Sequence, residues 1–162
     1  MYNGLITSDN DINELITCPK VFKSAPAKAI EVNKNISQTF KVYGKSSDLE
    51  FSVFITYSSR MIQDFSIGLR FDDMLLYRCN GYHGTTRAGF FSAPHHAYPH
   101  AHLLTVLDIE KGRSKKPSSI CDLSGKFINL QTAIIYFCEH CGIIDYERYF
   151  NVNQISFADM NL

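Results

Sequence analysis

Apolar residues alternate with polar ones through the middle of the chain, the pattern of half-buried strands. The alternation begins after Ser37 and is clearest over residues 49–57 and 65–71. Asp72 and Asp73 separate the latter segment from residues 74–80 and predict a tight hairpin turn. We therefore expect an antiparallel sheet. Its predicted strands are residues 39–43, 49–57, 65–71 and 74–80, followed by one that starts at His100.

Helical patterns lie on both sides of this region. Ser8 and Asp11 are spaced as a capping box, and Pro19 ends the apolar pattern that follows. Asn129 is a suitable N-cap for an amphipathic helix that Gly142 would end. The sequence thus predicts a single α+β domain over residues 1–162. It combines an antiparallel sheet, a C-terminal amphipathic helix packed on one face of that sheet, and a short N-terminal helix.

Two stretches are predicted less fully. Residues 19–36 indicate an irregular segment with one short strand. Residues 143–162 allow either a short helix with an added strand or an extension that packs on a partner.

A two-residue loop at 72–73 would set the register of the hairpin. It places position 71 opposite 74, 69 opposite 76 and 67 opposite 78. The apolar face of the third strand therefore continues on the fourth strand and becomes polar there, at Arg78 and Asn80. The next strand starts polar at His100 and His102 and becomes apolar at Leu104 and Val106. Antiparallel pairing would bring both polar ends together on the inner face of the sheet.

Charge and cysteine content limit the functions that the chain could have. The 162 residues are 45% hydrophobic and carry sixteen basic and sixteen acidic side chains, so only a local patch could attract a polyanion. Five cysteines at irregular positions, with no signal-peptide pattern and no long apolar run, predict reduced thiols in the cytoplasm and no membrane contact. The Cys138–Cys141 pair lies near a helix C-terminus, where a redox or zinc role is disfavoured.

Candidate chemistry is concentrated in residues 75–104, which contain five of the six histidines: His83, His95, His96, His100 and His102. His100 and His102 would project from one strand face about 6.6 Å apart. They could act as base and acid on a phosphodiester, with Arg78 as the cation, Asn80 as a donor and His83 as an alternative acid or base. This reaction needs no cofactor.

Two other interpretations stay open. His100, His102 and His83 could ligate a metal ion, although no glutamate follows His102 at the spacing common in histidine-ligated metal barrels. The histidines could also be purely structural, and His95 and His96 are expected in a solvated loop. Arg78 could pair with Asp64 or Asp108.

An exposed basic loop and an apolar segment are candidate binding surfaces. The loop carries Lys111, Arg113, Lys115 and Lys116, and the segment carries Phe90 and Phe91. The loop could contact a phosphate backbone or an acidic protein surface, and the apolar segment would suit a protein partner.

The segment Arg78-Cys79-Asn80-Gly81-Tyr82-His83-Gly84, followed by Pro99-His100-Ala101-His102 and a final helix, resembles an uncharacterised bacterial family, a domain of unknown function. Its members carry R-x-N-G-x-H-G and a later P-H-x-H. Residues 15–20, 51–55 and 65–70 also resemble it, so the likeness covers about 9–143 and leaves 144–162 as an extension.

The resemblance implies no established activity. The family is similar to small proteins of mobile-element and toxin–antitoxin neighbourhoods, which implies a ribonuclease-type toxin or an inhibitor of a host nuclease. Its members usually have a polar loop where this chain has the apolar residues 88–94, and this difference favours a protein partner.

The leading hypothesis from the sequence is a metal-independent endoribonuclease-like toxin. RNA would be its substrate, an antitoxin its partner, and a homodimer is allowed. The opposing hypothesis is a non-enzymatic phage or mobile-element protein that inhibits a nucleic-acid enzyme, docking through Phe90, Phe91 and the basic loop. A histidine-ligated metal site is the third.

Overall fold

The computed structural model describes Gly4 and residues 6–83 and 93–150, which build on one antiparallel sheet. The strands are β1 (Lys20–Val21), β2 (Ile30–Val32), β3 (Asn35–Gly44), β4 (Glu50–Ser58), β5 (Phe65–Phe71), β6 (Met74–Asn80), β7 (His100–Leu103) and β8 (Ser119–Asp122). The helices are α1 (Asp9–Thr17), α2 (Val106–Glu110) and α3 (Leu130–His140), with 3₁₀ turns at Pro94–Ala97 and Tyr146–Arg148. The strand order is β1-β3-β4-β5-β6-β7-β8, and β2 also pairs with β3.

Both predicted terminal helices are confirmed, together with their caps. The Ser8 hydroxyl accepts from the Asp11 backbone N–H at 3.2 Å, and the Asp11 carboxylate accepts from the Ser8 N–H at 2.7 Å. The Asn129 side chain accepts from the Thr132 N–H at 2.9 Å at the start of α3. The predicted α+β class is therefore confirmed.

The hydrophobic core lies on one face of the sheet, beneath α1 and α3. Alternate residues of the central strands contribute to it, including Val53, Ile67 and Leu69, which are at most 1% exposed. Phe137 of α3 packs on Tyr77 of β6 with ring centroids 6.1 Å apart. We call the opposite side the second face.

Lys20 is fully buried where α1 and α3 both end. Its ammonium group donates to the carbonyl oxygens of Ile16 at 2.7 Å, Cys18 at 2.9 Å and Cys141 at 2.9 Å. Burial lowers the pKa of Lys20, whereas three carbonyl acceptors favour its charged form. One side chain thus binds the C-terminal ends of two helices.

The predicted register of the β5–β6 hairpin is wrong beyond its first pairs. Phe71 pairs with Met74 as expected, but Leu69 pairs with Tyr77 and Gly68 with Arg78. A β-bulge makes Leu76 an extra residue in β6. Each residue after it therefore projects to the face opposite to the one expected for an unbroken ladder. Tyr77 and Cys79 therefore face the core, while Arg78 and Asn80 project from the second face. This exchange keeps a guanidinium and an amide out of the apolar core.

The strand predicted from His100 ends early. Thr105 and Asp108 form a capping box that starts α2 at Val106, so Val106 is helical rather than extended. β8 was not predicted, and residues 19–36 hold two short strands where one was expected.

Residues 143–150 pack against the sheet rather than extending away from it. Ile143 bridges to Lys20, and Phe150 lies 5.3 Å from the Phe40 ring. The rest of the predicted extension, residues 151–162, lies outside the described residues. Within the described ranges, none of the helices has the length and apolar character needed to cross a bilayer.

Candidate functional site

Four of the predicted site residues lie together on the second face. Asn80 pairs with His100 and Arg78 with His102 across β6 and β7. Directly opposed residues project to the same side of a sheet, so the four side chains form two adjacent rows. The expected juxtaposition is present, but on the face opposite the predicted one, because of the bulge in β6.

His100 is at the centre of a hydrogen-bond network. Its Nδ1–H donates to the Tyr98 carbonyl at 2.9 Å, which leaves the Nε2 lone pair facing the other histidines. Asn80 Nδ2 donates to His100 Nε2 at 3.1 Å, while Asn80 Oδ1 accepts from the Ser66 hydroxyl at 2.6 Å. His83 Nε2 donates to the same nitrogen at 3.2 Å. The ring of His100 is therefore fixed in both tautomer and direction.

His102 is held in the same way but has an unused nitrogen. Its Nδ1–H donates to the Pro117 carbonyl at 3.1 Å. Its Nε2 atom is buried and has no hydrogen-bond partner among the described residues. A buried acceptor left without a partner is unfavourable by about 1 to 3 kcal/mol, so this nitrogen is suited to bind a ligand.

Asp108 supports His102 indirectly. It accepts from the Ser118 hydroxyl at 2.7 Å and the Ser118 N–H at 3.3 Å, next to the carbonyl that orients His102. It also pairs with Arg113 at 3.3 Å. The prediction that Asp108 could neutralise Arg78 is therefore wrong.

His95 and His96 approach the cluster instead of lying in a solvated loop, which corrects the sequence prediction. Both are partly buried on the 3₁₀ turn Pro94–Ala97, and the His96 carbonyl accepts from the His83 N–H at 3.5 Å. The ring of His95 lies 4.8 Å from that of His100 and 5.5 Å from that of His102, between centroids. We call the five rings of His83, His95, His96, His100 and His102 the histidine cluster.

Three members of the histidine cluster have the arrangement of a metal centre. One ligand nitrogen from each of His95, His100 and His102 lies within 4.8 Å of the others. Metal-binding histidines usually donate their second ring N–H to a carbonyl or carboxylate, as His100 and His102 do here. The sequence-based set had His83 in place of His95, but His83 donates to His100 instead.

Burial favours the neutral form of four of the five rings. It lowers the pKa of His83 and His102 to about 4, with further lowering from the other rings and from Arg78. Burial also lowers the pKa of His100 and His96, although the Tyr98 carbonyl partly opposes this for His100. These imidazoles are therefore uncharged at pH 7, the form in which histidine binds a metal.

The remaining candidates lie away from the cluster or outside the described residues. Phe90 and Phe91 lie outside them, as does Gly84 of the R-x-N-G-x-H-G segment. In the basic loop, Arg113 pairs with Asp108 and Lys115 lies 3.9 Å from Asp73, while Lys111 and Lys116 are exposed. Cys138 and Cys141 are buried, and burial raises the pKa of the Cys138 thiol to about 12.

His95 is the site residue that sequence reasoning missed. The signal available was its spacing to His100 and His102, in a stretch that holds four histidines within eight residues. Pro94 and Pro99 conceal that signal, because they flank a turn whose direction the sequence does not specify.

Fold and site together define a class, an α+β protein with a polyhistidine site on the sheet face opposite its core. Comparison of the chain with protein-family models, with curated proteins and with solved structures finds no match. The resemblance to an uncharacterised bacterial family stays a prediction.

Proposed function

We propose that this protein is a metal-dependent hydrolase whose centre is formed by His95, His100 and His102. The observation that carries the proposal is the convergence of three imidazole nitrogens, two of them on rings oriented by backbone carbonyls. Imidazole ligands suit zinc and similar divalent ions. Three protein ligands also leave a coordination position for water, as in catalytic zinc sites.

The residues around the centre support a reactive role for that position. His100 Nε2 would hold the ion, and the two side chains that donate to this nitrogen, Asn80 and His83, would then lie beside the centre. There they could hydrogen-bond to a substrate or to a nucleophilic water. The chemistry that such an ion supplies is activation of water as a nucleophile at neutral pH.

Metal analysis of the purified protein tests the centre directly. We expect one zinc ion per chain. His100→Ala and His102→Ala should weaken its affinity by at least about 100-fold, since losing a ligand should exceed the 10- to 100-fold effect of losing a ligand's supporting partner. His140→Gln is the matched control, because His140 is the one histidine outside residues 75–104 and packs on Tyr77 instead. A substoichiometric metal content that the variants leave unchanged would refute the proposal.

Hydrolysis needs its own assay. The zinc-loaded protein should cleave bis-p-nitrophenyl phosphate, a general phosphodiester probe, and lose the activity in EDTA and in His102→Ala. Activity that persists in EDTA would contradict a metal-dependent reaction.

Metal-independent RNA cleavage is the second candidate. The row from Ser66 through Asn80 to His100, with Arg78 in the neighbouring row, supports it because these groups could position a phosphodiester. It needs one imidazolium as the acid, which burial of the cluster opposes. RNA cleavage that survives EDTA but is lost in a His100→Ala/His102→Ala variant would favour this candidate over the hydrolase.

The inhibitor hypothesis depends on Phe90 and Phe91, outside the described residues, and stays a prediction. The proposed RNA, antitoxin and homodimer contacts stay predictions as well.

A further inference from the structure

Arg78 has a positive charge with no counter-charge in the described part of the chain. None of the described carboxylates forms an ion pair with it, and its Nε atom is buried without a hydrogen-bond partner. Guanidinium groups are rarely buried unless paired. Arg78 is therefore suited to bind an anion.

The position of Arg78 restricts where that anion would bind. Arg78 lies between Gly68 on β5 and His102 on β7 in one cross-strand row. A Cβ atom added at Gly68 would lie 2.2 Å from the Phe54 ring. The Phe54 ring therefore covers Gly68 and closes the row at its β5 end. Arg78 is also the direct cross-strand partner of His102, so the two side chains project next to each other from the same face. An anion on Arg78 would therefore lie next to the histidine centre.

We infer that the centre takes a phosphate ester as substrate, with its phosphoryl oxygens shared between the Arg78 guanidinium and the bound ion. The inference rests on the proposed hydrolase, which supplies the ion. It adds the substrate class and assigns Arg78 as a substrate-binding residue.

Charge explains why a phosphate is preferred to a carboxylate or a neutral substrate. A divalent ion with three neutral imidazoles, placed beside a guanidinium, has an excess of positive charge that a phosphate offsets best. Asp122, the partner of His100 on β8, is a carboxylate on the same face of the sheet. It is exposed, is one strand further from Arg78, and accepts from the Ser124 N–H at 2.7 Å. It therefore does not neutralise the guanidinium.

Calorimetric titration of the zinc-loaded protein with inorganic phosphate tests the inference. Arg78→Met should bind phosphate at least about 10-fold more weakly, the equivalent of 1.4 kcal/mol, while its zinc affinity stays within about threefold. Arg78→Lys keeps the charge but loses the bidentate hydrogen-bonding geometry of the guanidinium. Its phosphate affinity should therefore lie between those of wild type and Arg78→Met. Arg70→Met is the matched control, because Arg70 packs 4.4 Å from the Phe54 ring centroid and should not affect phosphate binding.

The outcomes separate the inference from the proposed function. Two outcomes would overturn the inference while zinc still binds. One is an equal phosphate affinity in wild type and Arg78→Met, and the other is tighter binding of acetate than of phosphate. Either outcome leaves the metal centre unaffected. Phosphate binding that depends on Arg78 in a protein that takes up no zinc supports the anion site and overturns the hydrolase. Unchanged zinc affinity in Arg78→Met shows that the variant is folded.

Discussion

Lys20 shows how a single residue can determine local stability. Its ammonium group has no acidic partner among the described residues, and its three hydrogen bonds go to carbonyls at or near helix ends. Helix C-termini carry partial negative charge and unpaired carbonyls, so a buried cation is stabilised there without an ion pair.

Lys20→Met should lower the free energy of unfolding by about 2 to 4 kcal/mol, because it removes charge-assisted hydrogen bonds and leaves buried carbonyls unpaired. Equilibrium unfolding in urea, followed by circular dichroism, measures the loss. Lys45→Met, at an exposed lysine nearby, should change stability by less than about 0.5 kcal/mol. Equal stability of the two variants would show that the Lys20 contacts contribute nothing.

At the scale of elements, α2 and the loop after it connect a buried carboxylate to the histidine centre. Burial alone would raise the pKa of Asp108, but hydrogen bonds from Ser118 and Thr105 outweigh it and lower the pKa below its ordinary value. A carboxylate whose pKa is lowered on folding stabilises the native state above its unfolded pKa of about 3.9. That stabilisation disappears as the pH falls through the pKa of Asp108 in the folded protein.

Asp108→Asn should therefore be less stable than wild type by about 1 to 2 kcal/mol at pH 7, and the gap should shrink below about pH 4. Urea unfolding across this pH range measures it. Asp73→Asn, at a carboxylate 92% exposed, is the control and should cost less than about 0.5 kcal/mol at pH 7. A gap that widens in acid would contradict the assigned role of Asp108.

The sequence predicts elements well where one periodicity dominates. β4 and β5 have clear alternation, and α1 and α3 have capping residues, so these elements are predicted nearly to their ends. β3 is predicted only over residues 39–43 and begins earlier, at Asn35. α2 was missed because Leu104 and Val106 alternate like a strand although Thr105 and Asp108 are spaced as a cap. β8 has four residues, three of them exposed, and such a segment has little pattern to recognise.

The candidate site was predictable only in part. Its histidines, Arg78 and Asn80 stand out in composition, and their pairing across β6 and β7 follows from the alternation. The supports of His100 and His102 are carbonyls of Tyr98 and Pro117, and a backbone carbonyl leaves no mark on the sequence. The bulge could not be predicted either. Leu75, Leu76 and Tyr77 are all apolar, so the pattern does not show which of them face the core.

At the scale of the whole molecule, an ion at the histidine centre should stabilise the folded state. A ligand that binds only the native state at a hundred times its dissociation constant adds about 2.7 kcal/mol. For a chain of this size the melting temperature should rise by about 5 to 10 °C. Differential scanning fluorimetry with zinc, reversed by EDTA, measures the shift. His140→Gln should respond like wild type and His102→Ala should not respond; identical shifts in all three would place the zinc elsewhere.

The end of the described chain should also contribute to global stability. Phe150 packs on Phe40 and Phe22, with ring centroids 5.3 Å and 6.3 Å apart. Because Phe150 is only partly buried, Phe150→Ala should cost about 1 to 3 kcal/mol, below the range for a fully buried phenylalanine. Ile128→Ala, at a side chain 85% exposed, is the control for thermal unfolding. A melting temperature unchanged in Phe150→Ala would show that residues 143–150 do not stabilise the fold.

The bulge at Leu76 has a consequence for how this protein can change by mutation. Deleting Leu76 would remove the extra residue and leave Tyr77 opposite Leu69 and Arg78 opposite Gly68, so both faces of β6 would be kept. A deletion in the two-residue turn at 72–73 would instead change the register between β5 and β6, because loop length sets the register of a hairpin. In a library of single-residue deletions, we therefore expect position 76 to be more tolerant than the turn.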